Sequence, residues 1–211
     1  MYVTNDLRGS SAYYPGGQSW SLDTAYYRLQ RAILSLLERF HEDYDLWLKV
    51  PPTIDQNPLA HSPIREWLKA RGSRIAVEQR PLVHVIDEPA LFIIDHPSTA
   101  LLQCLATRAE IIVWTGSVHF NVLPDARRLL QQRATCCGTP EELLTAVEDK
   151  LRAGLTPYVP TAKDDEFLRV FGTFQHDGKS LERIQAYVET QGFWTAPSEA
   201  SAPVVVATSP S

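Results

Sequence analysis

No apolar run in the chain approaches the ~18 residues that a membrane-spanning helix requires. The opening, MYVTNDLRGSS, lacks the apolar centre of a secretory signal. No transmembrane segment is expected. Cysteine is scarce, with Cys104, Cys136 and Cys137 only. An odd number with two adjacent suits neither a disulfide framework nor a zinc-ligand spacing. Reduced thiols in the core of a cytoplasmic protein are the expectation. Positive charge is also in short supply. Lysine and arginine number 20 against 25 aspartates and glutamates, a formal net charge of −5. That excludes a general nucleic-acid binder and leaves room for a local basic pocket.

Several catalytic signatures are missing as well. There is no H-E-x-x-H, C-x-x-C or G-x-S-x-G. The six histidines are scattered, and a lone one such as His84 or His119 reads as structural. Neither a metal nor a cofactor is expected. GTFQHDGKS, Gly172 to Ser180, comes near a phosphate-cradling loop but fails on spacing. G-x-x-x-x-G-K-[ST] needs glycine where Thr173 stands, and Gly172 is one place too early. An amphipathic helix rather than a strand precedes it, so Asp177-Gly178 reads as a turn and Ser180 as a helix cap. No internal repeat of fixed period occurs.

What is present is an alternation of short apolar runs with amphipathic stretches. The chain has 211 residues, 44% of them apolar and 21% charged, enough for a sizeable core. MYVTND ends a strand, and a polar Gly-rich loop follows. Leu22, Tyr26, Leu29, Ile33, Leu36, Leu37 and Phe40 share one helical face, with Ser21 as cap. YDLWLKV is a buried strand stopped by Pro51 and Pro52. Ser62-Pro63 opens a helix ending near Gly72. RIAVEQ is strand-like, and RPLVHVIDEPA is a short helix or turn. LFIID, EIIVWTG and TCCG are strands, separated by the helices STALLQCLATRA and LPDARRLLQQRA. Thr139, Pro140 and Glu142 form a capping box for a helix with Leu143, Leu144, Val147 and Leu151 inward. DDEFLRVFGTF and KSLERIQAYVETQG close the chain as two helices.

Strand–helix alternation with short connections predicts an α/β fold, a Rossmann-like parallel sheet of about six strands with helices on both faces. The strands should end near Thr4, Val50, Val77, Asp95, Trp114 and Cys137. One domain is expected over residues 1–195. The Ala-, Ser-, Pro- and Val-rich stretch 196–211 is expected to be a disordered tail.

Parallel α/β sheets bind ligands beyond the carboxyl ends of their strands. That rule selects Asn5 to Gly17, Lys49 to Pro52, Glu78 to Arg80, Asp95 to Thr99 and Thr115 to His119. Arg8, Lys49, Asp95, Ser98 and Thr99 lie in these loops, as do Gly9, Ser10, Gly116 and Ser117. A phosphate needs cations and converging donors, and a helix N-terminus adds N–H groups with a favourable dipole. Two readings of Ser98 and Thr99 stand side by side, reception of a phosphate and simple capping of their own helix.

Three stretches carry a family resemblance: DHPSTALLQCLATRAEIIVW, the pair LWLKVPP with YVTNDLRG, and DDEFLRVFGTFQHDGKSLERI. Over roughly residues 2–190 the chain resembles the C-terminal, donor-binding domain of GT-B-type glycosyltransferases. Bacterial surface-polysaccharide biosynthesis transferases are the nearest likeness. The resemblance implies a nucleotide-sugar donor, with its phosphates at Ser98 and Thr99. It implies contributions from Arg8, Gly9 and Ser10 after the first strand and from Lys49 after the second. Many such transferases hold the ribose with a glutamate in the helix after the fourth strand. Gln103 stands there, able to bond a hydroxyl without the charge-assisted component. The acceptor site and catalytic base would belong to an N-terminal Rossmann-like domain, a missing part or a separate chain, since Met1 alone precedes the first strand.

On this expectation the chain alone turns nothing over, no catalytic residue is assigned, and its location is cytoplasmic or peripheral at the inner membrane face. Tyr13, Tyr14 and Trp20 would face the partner domain, or pack locally over the sheet edge. A nucleotide-sugar epimerase half and a non-catalytic nucleotide-sugar-binding module are the alternatives, because fold alone does not separate them.

Overall fold

The computed structural model describes residues 1–4, 23–50, 63–116, 122–156, 158–159, 166–172 and 179–190. Six strands are defined: β1 (Tyr2–Val3), β2 (Trp47–Lys49), β3 (Ala76–Glu78), β4 (Leu91–Ile94), β5 (Glu110–Trp114) and β6 (Thr135–Cys137). All neighbouring pairs are parallel, in the order β3-β2-β1-β4-β5-β6. The helices are α1 (Asp23–Glu38), α2 (Pro63–Ala70), α3 (Thr99–Leu105), α4 (Pro124–Leu130), α5 (Pro140–Ala153) and α6 (Ser180–Thr190). The α/β class with a six-stranded Rossmann-like parallel sheet is therefore established, and each strand ends within one residue of the expected position. The pairing of β2 with β3 is parallel, with Leu48 opposite Val77, and is not a hairpin.

The two faces follow from the two-residue period of a strand. Tyr2, Leu48, Leu91, Ile93, Ile112 and Trp114 face one core, filled by α1, α2 and α5. Val3, Phe92, Ile94, Ile111 and Val113 face the other, filled by α3 and α4. Continuous apolar runs such as Leu91–Ile94 are buried on both sides, as central parallel strands require. Helix α1 turns Tyr26, Leu29, Ile33, Leu36 and Leu37 inward as the periodicity indicates. Thr139 caps α5 by accepting from the Glu142 amide at 3.1 Å, and Glu142 Oε2 accepts from the Gly138 amide.

RPLVHVIDEPA resolves into a single 3-10 turn at Leu82–His84, from which Leu82 and Ile86 pack on the α3/α4 side. The segment expected as a helix over DDEFLRVFGTF has a π turn at Leu168–Gly172, and the adjacent Phe167 and Leu168 are both buried against that same core. The 196–211 tail and Tyr13, Tyr14 and Trp20 lie outside the described residues.

Connections from β1 run to one face through α1, and those from β4 run to the other through α3. The two strands are neighbours, so their carboxyl ends diverge into a crevice. That is the topological switch point at which open α/β sheets bind ligands.

Candidate functional site

A pocket of about 210 Å³ opens at this crevice. Its walls come from the ends of β1 (Val3, Thr4), β2 (Lys49, Val50) and β4 (Asp95, His96), from Leu82 in the 3-10 turn, and from Ser98, Ala100 and Gln103 on α3. Small-molecule sites usually measure ~300–1,000 Å³. The described lining therefore accommodates one portion of such a ligand.

Lys49 reaches this place by strand alternation. Leu48 and Val50 pack into the α1/α2/α5 core, so Lys49 points to the opposite face beside Val3. Only 4% of it is exposed, and its Nζ donates to the Val50 carbonyl at 2.7 Å. A lysine is rarely buried so completely, because removing an ammonium from water is costly. Glu78 stands opposite it in register on β3. The Arg80 guanidinium grips that carboxylate at 2.7 Å and holds its pKa at about 2, the Lys49 charge adding a smaller pull.

Helix α3 divides its sides by the 3.6-residue period. Leu101, Cys104 and Leu105 are buried in the core, while Ala100 and Gln103, three residues apart, face the pocket. Ser98 occupies the N-cap position in extended geometry, and its side chain makes no capping bond. The capping reading of this hydroxyl is thus not what the geometry displays, in contrast to Thr139. Burial lowers the His96 pKa below its ordinary value, which keeps the imidazole neutral at pH 7.

Of the residues expected in a site, Lys49, Asp95, Ser98 and Gln103 are brought together around the one pocket. Thr99 is exposed beside it and is not part of its wall. Gly116 is elsewhere, at the end of β5. A Cβ there would lie 1.8 Å from the Gly138 carbonyl oxygen, so close backbone approach accounts for this glycine. Arg8, Gly9, Ser10 and Ser117 lie outside the described residues. Sequence reasoning passed over Thr4 and Leu82, and included His96 only as part of the Asp95 to Thr99 loop. Asp95 turns Oδ2 toward the hydroxyls of Thr4 and Tyr2. Gln30 carried a legible signal, a polar residue within the apolar stripe of α1 that is fully buried in the fold.

Among the described residues no cluster of His, Cys, Asp or Glu is arranged to hold a metal ion. No described helix is long and apolar enough to cross a membrane. No family profile, curated protein or solved structure matches the chain.

Proposed function

We propose that the crevice binds the phosphorylated portion of a nucleotide sugar and that the chain is the donor-binding half of a glycosyltransferase, one acting in surface-polysaccharide biosynthesis. The carrying observation is a nearly buried lysine in the wall of a pocket at the β1/β4 switch point. A cation kept out of water there attracts an anion more strongly than a surface lysine does, because screening is weaker. Ser98 and Gln103 supply donors suited to phosphate and sugar oxygens. Val3, Val50, Leu82 and Ala100 supply apolar walls, the usual composition of a small-molecule site.

In this reading Lys49 stabilises the negative charge that grows on the departing nucleotide diphosphate. The acceptor and the base that activates it come from a partner Rossmann-like domain, and closure between the two excludes water. A cytoplasmic location goes with this reading and with the free thiols of Cys104, Cys136 and Cys137.

The test is calorimetric titration with a panel of UDP-, GDP- and ADP-sugars, for wild type and Lys49→Ala. One member should bind weakly, and the variant should lose about 1.5–3 kcal/mol, the worth of a charge-assisted hydrogen bond. Equal affinity in both proteins would remove Lys49 from the site. Acceptor-dependent turnover by this chain alone would refute the proposed division of labour.

A further inference from the structure

Behind the pocket, on the α1 side of the sheet, five buried polar side chains converge. Asp95 Oδ2 accepts from Thr4 Oγ1 at 2.7 Å and from the Tyr2 hydroxyl. Thr4 Oγ1 accepts in turn from Gln30 Nε2, and the Tyr26 hydroxyl lies 3.4 Å away. A threonine hydroxyl offers one proton and two lone pairs. The Thr4 hydroxyl directs its proton at Asp95 Oδ2, and its lone-pair side faces Gln30 Nε2 and the hydroxyls of Tyr2 at 3.3 Å and Tyr26 at 3.4 Å. None of the five is more than 8% exposed. Burial, with the Asp95 charge added, raises the Tyr2 pKa well above its usual value, so the phenol stays a donor.

The location of this cluster gives it a role. The Thr4 amide donates to the Lys49 carbonyl at 3.1 Å. Asp95 leads through His96 and Pro97 directly into Ser98. One bonded path therefore runs from Lys49 on β2, through Thr4 on β1, to Asp95 at the end of β4 and on to Ser98. Strands β1 and β4 are the pair whose ends diverge at the crevice, and parallel backbone pairing stops at Val3 and Ile94. Beyond that point the Thr4–Asp95 bond continues the connection with side chains.

We propose that Asp95 and Thr4 are positioning residues, a clip across the switch point that fixes Lys49 relative to Ser98. Asp95 acts through Oδ2 on Thr4 and Tyr2. Tyr2 and Gln30 hold the clip from the β1 and α1 sides. For what the crevice binds, this rests on the donor-binding reading above; the clip itself is testable without it.

Three proteins separate the cases: wild type, Thr4→Val, which keeps the shape and loses the hydroxyl, and Thr4→Ser, which restores it. Native-state hydrogen exchange reads the amides of residue 4 and of Leu101, the latter bonded to the Ser98 carbonyl. Amides of Ile112 and Val113 on β5 serve as the remote reference. Thr4→Val should speed exchange at residue 4 and Leu101 by about tenfold or more, the scale of one lost buried hydrogen bond. The β5 amides should be unchanged, and Thr4→Ser should restore the wild-type pattern. Binding of UDP-glucose, where wild type binds it, should weaken by a similar factor in Thr4→Val and recover in Thr4→Ser. Uniform acceleration across the sheet would reduce the cluster to general stability and overturn the proposal, as would unchanged exchange at the crevice. Should Thr4→Val not fold, Tyr2→Phe removes one of the two donors to Oδ2 and is judged by the same amides. If wild type binds no nucleotide sugar, the donor-binding reading fails while the exchange pattern still decides the clip.

Discussion

A buried lysine is a poor choice for stability and a good one for holding an anion. Lys49 makes these opposing demands visible at a single position. An apolar side chain of similar length carries none of the desolvation cost of a buried ammonium. Lys49→Met is therefore expected to unfold in urea at the wild-type midpoint or above it, while losing affinity for phosphorylated ligand. A midpoint well below wild type would mean that Lys49 serves the fold and not the pocket. Gly116 has the reverse character. A methyl group there collides with the Gly138 backbone, which cannot swing away as a side chain does. Gly116→Ala should cost about 1–3 kcal/mol in urea denaturation, in the range of overpacking, with no effect on binding at the crevice. A neutral substitution would show that the β5 and β6 ends separate easily.

Among the elements, the two helix starts at Ser98 and Thr139 form a natural experiment. Both place a hydroxyl at the N-cap in extended geometry, but only Thr139 caps. Thr139→Ala should destabilise by about 1 kcal/mol, the usual value of a capping hydroxyl. Ser98→Ala should stay within about 0.5 kcal/mol of wild type, as surface substitutions do, and should instead weaken ligand binding. Equal destabilisation by the two would return Ser98 to the role of a cap. The sequence already separates the two in part, because Glu142 completes a capping box at Thr139 while Leu101 holds the equivalent place after Ser98. In the structure Thr139 accepts from the Glu142 amide, and the Ser98 side chain makes no such bond.

The segment after β3 is held by Arg80, which bridges Glu78 at 2.7 Å and Glu88 at 3.2 Å. The folded Glu78 pKa of about 2 lies below the ordinary 4.5. Its contribution is complete above pH 4.5 and disappears as the pH falls toward 2. Glu78→Gln should accordingly flatten the loss of stability between those pH values, measured as the denaturation midpoint against pH. An unchanged acid profile would show that the pair contributes nothing measurable, as many ion pairs with an exposed partner do.

For the whole molecule, strand–helix rhythm made the sheet legible. Runs such as LFII and EIIVW announce buried strands because a central parallel strand is apolar on both sides. Strand ends then located Lys49, Asp95 and Ser98, since binding positions in this topology follow from strand order, whereas Gln103 was implied only by the family resemblance. The clip was not legible. Thr4 and Asp95 are 91 residues apart, and no local pattern encodes that bond. At Gly116 the sequence does not choose, because a glycine beyond a strand end suits ligand approach and backbone approach equally. The 3-10 turn carrying Leu82 was legible as a short helix or turn, but its role as a wall was not, for that depends on the crossover from β3 to β4 passing over the sheet.

The central claim is that the switch-point crevice receives a phosphorylated donor. Amide chemical shifts of the isotopically labelled chain, recorded while a nucleotide sugar is titrated in, test it most directly. Perturbations should concentrate at Thr4, Lys49, His96, Ser98 and Gln103, with β6 and α6 undisturbed. Perturbations centred on β6 or α6, or none at all with every sugar nucleotide tried at millimolar concentration, would contradict it.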